Sequence, residues 1–324
     1  MRAVVCRALT GVGGLEYVDN WPEPQAGPGE VLVEVKAAAL NFPDLLMIQG
    51  LYQERPPLPF VVGTEMSGVV LATGEGVSHV APGDRVVAAS GRTLAERVVA
   101  KAALVIPAPQ KLGFEAAAGI CITYFTSMHA LKQRAQLAAG ETLLVLGAAG
   151  GVGTTAVELG KQMGAVVIAA AGSDAKLELA RRIGADHVVN YSTEDLRERI
   201  KAITGGKGVD VVYDPVGGAL AEPALRSMAW GGRYLVIGFA GGDIPRIPLN
   251  LPLLKGCSIV GVFWGSFAAR ERDLQRRNVV ELWEMFESGR LAPVVGETHP
   301  LADYAPAFES LATRRAQGKV VLVP

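Results

Sequence analysis

The stretch Thr142–Ala165, TLLVLGAAGGVGTTAVELGKQMGA, carries the clearest structural instruction in the chain. An uncharged apolar run ends at Gly147, glycines stand at 150, 151 and 153, and a helical pattern follows from Gly151 to Met163 before a second apolar run, VVIAAA. Glycine lets the backbone approach a bulky anion, and the first turn of a helix offers unpaired N–H groups at the positive end of its dipole. Gly150, Gly151, Val152 and Gly153 are therefore expected to hold a diphosphate, with Gly153 allowing close packing of helix on strand. Ala148 occupies the place of the usual first glycine, and an ordinary tight βα turn would also use glycine. The order strand, turn, helix, strand favours a dinucleotide.

Outward from this turn the alternation continues through SDAKLELARRIG, HVVNY, STEDLRERIKAITGG, VDVVYDP and GRYLVIGFA. Such alternation predicts parallel strands joined by crossover helices. Before it, residues 1 to about 110 offer short β-type runs such as VLVEVKAAAL, SGVVLATG, DRVVAAS and AERVVA, punctuated by Gly, Pro and Asp. This predicts a mainly β unit, linked by an Ala-rich helical segment from about Gly113 to Lys132. Near the end an amphipathic helix is expected over Glu271–Ser288, and GKVVLVP reads as a closing strand that returns to the first unit.

A chain of 324 residues, half of it hydrophobic, divides more readily into two domains than one. Its 31 basic and 32 acidic residues leave no net field for nucleic acid or an anionic membrane. No apolar run approaches the roughly 20 residues needed to cross a bilayer, the N-terminus lacks a secretory h-region, and Cys6, Cys121 and Cys257 are few and scattered. A cytoplasmic protein with free thiols is expected.

The second apolar run ends in AAAGS, Ala169–Ser173, without the acidic residue that binds the adenosine ribose hydroxyls in an NAD site. Ser173 and Lys176 follow, suited to bonding and neutralising a ribose 2′-phosphate, with Asp174 expected to point outward from the first helical turn. Ser173 also reads as a simple N-cap and Lys176 as a surface lysine. Together with the missing acid they favour NADPH over NADH.

At this point the chain resembles the quinone oxidoreductase branch of the medium-chain dehydrogenase/reductase superfamily almost end to end. The resemblance is carried by ALNFPDLLMIQGLY, VVGTEMSGVV, APGDRVV, the glycine turn, VVYDPVGG and GKVVLV. It implies an α/β fold: a GroES-like, mainly β catalytic domain over residues 1–124 and 263–324, and a Rossmann doubly wound parallel-sheet domain over 125–262, with the active site in the cleft between. It implies that Asn41 and Tyr52 face the nicotinamide, that Thr126 approaches the cofactor, and that Lys176 with Tyr191 holds the 2′-phosphate. Ile237, Gly238 and Phe239 would flank the nicotinamide half, and Phe263, Trp264 and Gly265 would continue that wall. Each has a plainer reading, as turn former, helix residue, strand end or core.

The zinc-dependent members of the family place a cysteine near Leu40 and a histidine where Thr64 stands; of that pattern only Glu65 is present here. His79, His129, His187 and His299 are isolated, so no metal is expected. Without a Lewis acid the acceptor must already be electrophilic, as a quinone or α,β-unsaturated carbonyl is. Tyr52 is a candidate to donate a proton or hydrogen bond to the acceptor oxygen, or else an aromatic wall; Asp44 is read as orienting neighbouring polar groups or as a helix cap. The alternatives are an enoyl-thioester reductase, with Arg55, Arg270 and Arg272 available to a coenzyme A, and a low-turnover NADPH-binding structural or sensor protein. The resemblance also implies a homodimer, for which CSIVGVFWG offers an apolar edge.

Overall fold

The computed structural model describes residues 1–324. In chain order the first unit contains β1 (Ala3–Cys6), β2 (Leu15–Val18), β3 (Glu30–Ala39), α1 (Phe42–Ile48), β4 (Phe60–Val61), β5 (Met66–Thr73), β6 (Arg85–Ala88), β7 (Arg97–Lys101), β8 (Val105–Pro107) and α2 (Phe114–Ala118). Next come α3 (Ile120–Met128), β9 (Thr142–Leu146), α4 (Gly151–Gln162), β10 (Val166–Ala171), α5 (Asp174–Arg182), β11 (His187–Asn190), α6 (Leu196–Ile203) and β12 (Val209–Asp214). Then follow α7 (Ala221–Arg226), β13 (Met228–Val236), α8 (Asn250–Lys255), β14 (Ser258–Gly261), α9 (Trp264–Arg270) and α10 (Arg272–Glu287). The chain closes with β15 (Val295–Pro300), α11 (Tyr304–Ala312) and β16 (Lys319–Val323).

Met1–Ile122 and Ala292–Pro324 form one compact unit, Thr123–Leu291 the other. In the first, a sheet runs β15-β16-β3-β5-β6-β8, with β7 also paired to β3, and a smaller sheet runs β2-β1-β4. β3 alternates half-buried and buried residues until Ala37, after which both faces are covered. The closing strand β16 pairs antiparallel with its end, Val321 opposite Ala39 and Leu322 opposite Ala38. The return of the C-terminus to the first unit thus has a register.

The second unit is built on a parallel sheet in the order β11-β10-β9-β12-β13-β14. Leu143–Leu146 of β9 are fully buried, as a strand with helices on both faces requires. Strand order reverses between β9 and β12, so the turn after β9 lies at the switch point where open α/β sheets bind ligands.

The boundary expected at residue 263 is displaced to 291. The segment 263–291 packs within the second unit because its aromatic side chains rest on α3. Phe286 meets Tyr124 edge-on at 5.0 Å, Trp283 stacks on Phe125 at 6.0 Å, and Trp264 lies 5.7 Å from the same Phe125 ring. The first boundary, expected at 124, falls at 122, and both positions lie inside α3. The helical link from Gly113 to Lys132 is broken into α2, α3 and a π-helical turn at His129–Arg134.

Candidate active site

The glycine turn is formed as its composition demands. Gly147 takes φ +59, a backbone conformation open to glycine and costly for other residues, and Gly150 caps α4. A Cβ on Gly153 would stand 2.2 Å from Gly147 O, so only hydrogen fits where helix meets strand. The first N–H groups of α4, on Gly151, Val152 and Gly153, have no partner within the helix. Of the four residues from Gly150 to Gly153, the first three are half-buried and Gly153 is buried.

Beneath the turn lies a buried group of hydroxyls that sequence reasoning missed. Ser127 Oγ on α3 is 2.7 Å from Thr155 Oγ1 and 2.8 Å from the Tyr213 hydroxyl, and donates to Val152 O at 3.2 Å. Thr155 Oγ1 also donates to Val152 O at 3.0 Å. Polar groups so deeply covered must be paired, and here the pairing ties α3 and β12 to the first turn of α4. Thr126, next to Ser127, is half-buried.

At the end of β10, Ser173 is the N-cap residue of α5, yet its hydroxyl makes no capping bond. The Tyr191 ring stands beside the backbone of Gly172, where a Cβ would meet it at 3.1 Å. Lys176 is half-buried on the first turns of α5. Asp174 is exposed, as expected, and accepts a hydrogen bond from Asn190 Nδ2 at 2.8 Å. Ser173, Lys176 and Tyr191 are thus gathered by the ends of β10 and β11.

The loop after β12 is held by Asp214, another residue the sequence reading passed over inside VVYDPVGG. Its Oδ1 accepts the N–H groups of Val216 at 2.7 Å and Gly217 at 2.8 Å, while the Tyr234 hydroxyl donates to Oδ2. Ile237 donates to Asp214 O, and the Phe239 ring lies against Gly217. Ile237, Gly238 and Phe239 are all half-buried. Of the expected continuation of this wall, Trp264 is half-buried with Nε1 donating to Gln275, whereas Phe263 is 62% exposed and Gly265 is exposed.

In the first unit the segment after β3 makes a compact polar cluster. Asn41 is the N-cap of α1 and only 6% exposed. Its backbone N–H donates to Asp44 Oδ2 at 2.7 Å, and Thr64 Oγ1 donates to the same oxygen at 3.2 Å. The Asn41 amide is wholly engaged: Nδ2 donates to Glu65 Oε1 at 2.8 Å, and Oδ1 accepts from Lys319 Nζ at 2.7 Å. Glu65 Oε2 accepts from the Ile122 N–H at 2.9 Å. The structure therefore gives the Asn41 side chain internal partners, and leaves half-buried Thr64 and Tyr52 as the more accessible polar groups nearby.

Asp44 is fully covered, and its Oδ1 has no hydrogen-bond partner. Burial pushes its carboxyl up to about 7, against the pull of the Asn41 N–H, Lys319 and Thr64. Burial, with the nearby charges of Glu54 and Asp44, likewise raises the Tyr52 hydroxyl. The hydroxyl therefore keeps its proton.

These residues do not fit a zinc ion. Leu40 offers no ligand, Thr64 serves Asp44, Glu65 is committed to Lys319 and Asn41, and no group of three His, Cys, Asp or Glu side chains converges anywhere in the chain.

Comparison with known proteins agrees with this architecture. The family described as "Alcohol dehydrogenase GroES-like domain" matches residues 27–130, and "Zinc-binding dehydrogenase" matches residues 151–282. Quinone oxidoreductase-like protein 2 of Bos taurus is 40% identical over 99% of this chain and 92% of its own. Among solved structures, Escherichia coli quinone oxidoreductase complexed with NADPH is 32% identical with a TM-score of 0.92, covering 100% of both chains. The Pseudomonas syringae quinone oxidoreductase is 34% identical with a TM-score of 0.92 over 100% of this chain and 99% of that one. The chain belongs to the quinone oxidoreductase branch of the medium-chain dehydrogenase/reductase superfamily, a family of oxidoreductases.

Proposed function

We propose that this protein is a metal-independent, NADPH-dependent reductase that passes a hydride to a quinone or a related α,β-unsaturated carbonyl. The observation that supports this reading is that two groups suited to phosphates lie on one sheet: the amides opening α4, and Ser173, Lys176 and Tyr191 at the ends of β10 and β11. The first suits a diphosphate, and the second, lacking a carboxylate at the end of β10, suits a ribose 2′-phosphate. A relative of the same fold was solved with NADPH.

NADPH would supply the hydride. The protein's own part is to hold and orient. Ile237, Gly238 and Phe239, steadied by Asp214, are assigned to the nicotinamide half, and Thr126 to the approach of the cofactor. Tyr52, kept protonated by burial, donates a hydrogen bond to the acceptor oxygen as negative charge gathers on it. Asp44 and Asn41 support that segment from within. A donor set that cannot hold zinc leaves the acceptor to provide its own electrophilicity, which quinones and enones do.

The reading includes a homodimer formed along β14, the open edge of the parallel sheet, where Ile259 and the neighbouring Trp230 and Leu253 are exposed apolar side chains. Light scattering tests it: twice the monomer mass would support the dimer, and the monomer mass would contradict it. A cytoplasmic location is part of the same proposal; no helix is long and apolar enough to cross a membrane, and all three cysteines are unpaired.

The test is steady-state oxidation of NADPH across quinones, enones and enoyl thioesters. Turnover with quinones or simple enones supports the proposal, turnover confined to thioesters moves the acceptor to that class, and tight binding without consumption makes the protein a nucleotide-binding structural or sensor component.

A further inference from the structure

Lys319 opens β16 with its side chain directed inward: 6% of it is exposed, beside a Glu65 side chain that is completely covered. Its stem passes Gly119, where a Cβ would fall 2.8 Å from Lys319 Cγ and 3.0 Å from Cε. At the far end the ammonium donates to Leu40 O at 2.8 Å, Asn41 Oδ1 at 2.7 Å and Glu65 Oε1 at 2.8 Å. A lysine ammonium has three N–H groups, so all are committed.

A buried ion pair is a poor way to gain stability, because desolvation offsets most of the attraction. What this pair supplies is direction. An asparagine amide can sit in either of two flipped orientations, and a cation on one side with a carboxylate on the other admits only one. Asn41 also begins α1, so the same contacts fix the start of the helix that carries Asp44 and leads to Tyr52.

We propose that Lys319 is a positioning residue: its ammonium holds Asn41 and Glu65 in one arrangement and thereby sets the geometry and the field in which Asp44 and Tyr52 act. This rests on the reductase function proposed for the chain. The groups facing Asp44 are Lys319, which favours its charged form, Glu65, which disfavours it, and the Thr64 hydroxyl and Asn41 N–H, which donate to it. Tyr52 is the titratable group that feels Asp44 in turn. Removing the ammonium deletes the attraction and keeps the repulsion, so Asp44 retains its proton to higher pH.

The experiment compares the parent with Lys319→Arg, Lys319→Met and the double variant Lys319→Met with Glu65→Gln, in which no buried charge is left alone. Melting curves, NADPH binding, kcat and KM against pH, and carbon-13 NMR titration of the Asp44 carboxyl are recorded for each. In Lys319→Met, kcat falls roughly tenfold or more, the scale of a small misplacement behind a reacting group. NADPH affinity stays within about twofold, since the phosphate sites of α4 and α5 are untouched. The Asp44 titration moves to higher pH in Lys319→Met, and Lys319→Arg returns it toward the parent. Where Lys319→Met does not fold, the double variant decides, and it too must lose kcat with NADPH binding kept. A folded Lys319→Met or double variant with parental kcat overturns the proposal. So does an Asp44 titration that Lys319→Met leaves unmoved. A parent that binds no NADPH refutes the reductase reading instead, and the NMR titration still judges whether Lys319 governs Asp44.

Discussion

The Tyr213 hydroxyl, on β12, lies 2.8 Å from Ser127 Oγ, on α3, and both side chains are fully buried. Burial raises the tyrosine well above its ordinary range, so it stays a neutral donor. Through Ser127 and Thr155 this contact reaches Val152 O, in the first turn of the helix assigned to the diphosphate. A strand, a helix and the glycine turn are thus tied together by three hydroxyls.

Replacing Ser127 by Ala strands the Tyr213 hydroxyl in the core, which costs about 1–3 kcal/mol for an unsatisfied buried donor. Urea denaturation of Ser127→Ala should show that loss, and NADPH titration should show weaker binding as the turn loosens. A variant with the parental midpoint and affinity would mean that the hydroxyls merely coexist.

Asp44 predicts an unusual pH dependence. Its carboxyl is raised from 3.8 to about 7, so the folded protein binds a proton that the unfolded chain has released between those values. Stability contributed by this group is therefore highest at the acid end of that window and declines as pH rises toward about 7. Asp44→Asn, which has no charge to bury, should gain on the parent steadily across the window and then level off. Urea unfolding of both proteins at several pH values measures the difference, and a difference that does not change with pH contradicts the assignment.

Tyr52→Phe removes the hydroxyl and keeps the ring. With Tyr52 as the donor to the acceptor oxygen, kcat falls roughly a hundredfold or more while NADPH affinity is kept. An unchanged rate reduces Tyr52 to a wall of the pocket.

The glycine turn was legible because local chemistry dictates it: the helix expected over Gly151–Met163 is found at Gly151–Gln162, and the helix expected over Glu271–Ser288 at Arg272–Glu287. Both carry a 3.6-residue pattern and end in recognisable stops. The boundary near 263 was not legible, because it depends on Trp283 and Phe286 meeting α3 from over 150 residues away in sequence. Lys319 was hidden for the same reason. A lysine at the head of an apolar strand reads as a solvated end, and only the pairing of β16 with β3 carries it to Asn41 and Glu65. Ser127 and Tyr213 gave no periodic or compositional sign of their meeting. Charge and hydroxyl networks assembled from distant segments leave no local trace.

Equilibrium titration by nicotinamide fluorescence, NADPH against NADH, in the parent and in Lys176→Ala, addresses the central claim most directly. The parent should bind NADPH tighter by roughly tenfold or more, the scale of one charge-assisted hydrogen bond, and Lys176→Ala should erase most of that preference. Tighter binding of NADH, or no association with either dinucleotide, would contradict the two-phosphate site on which the proposed function stands.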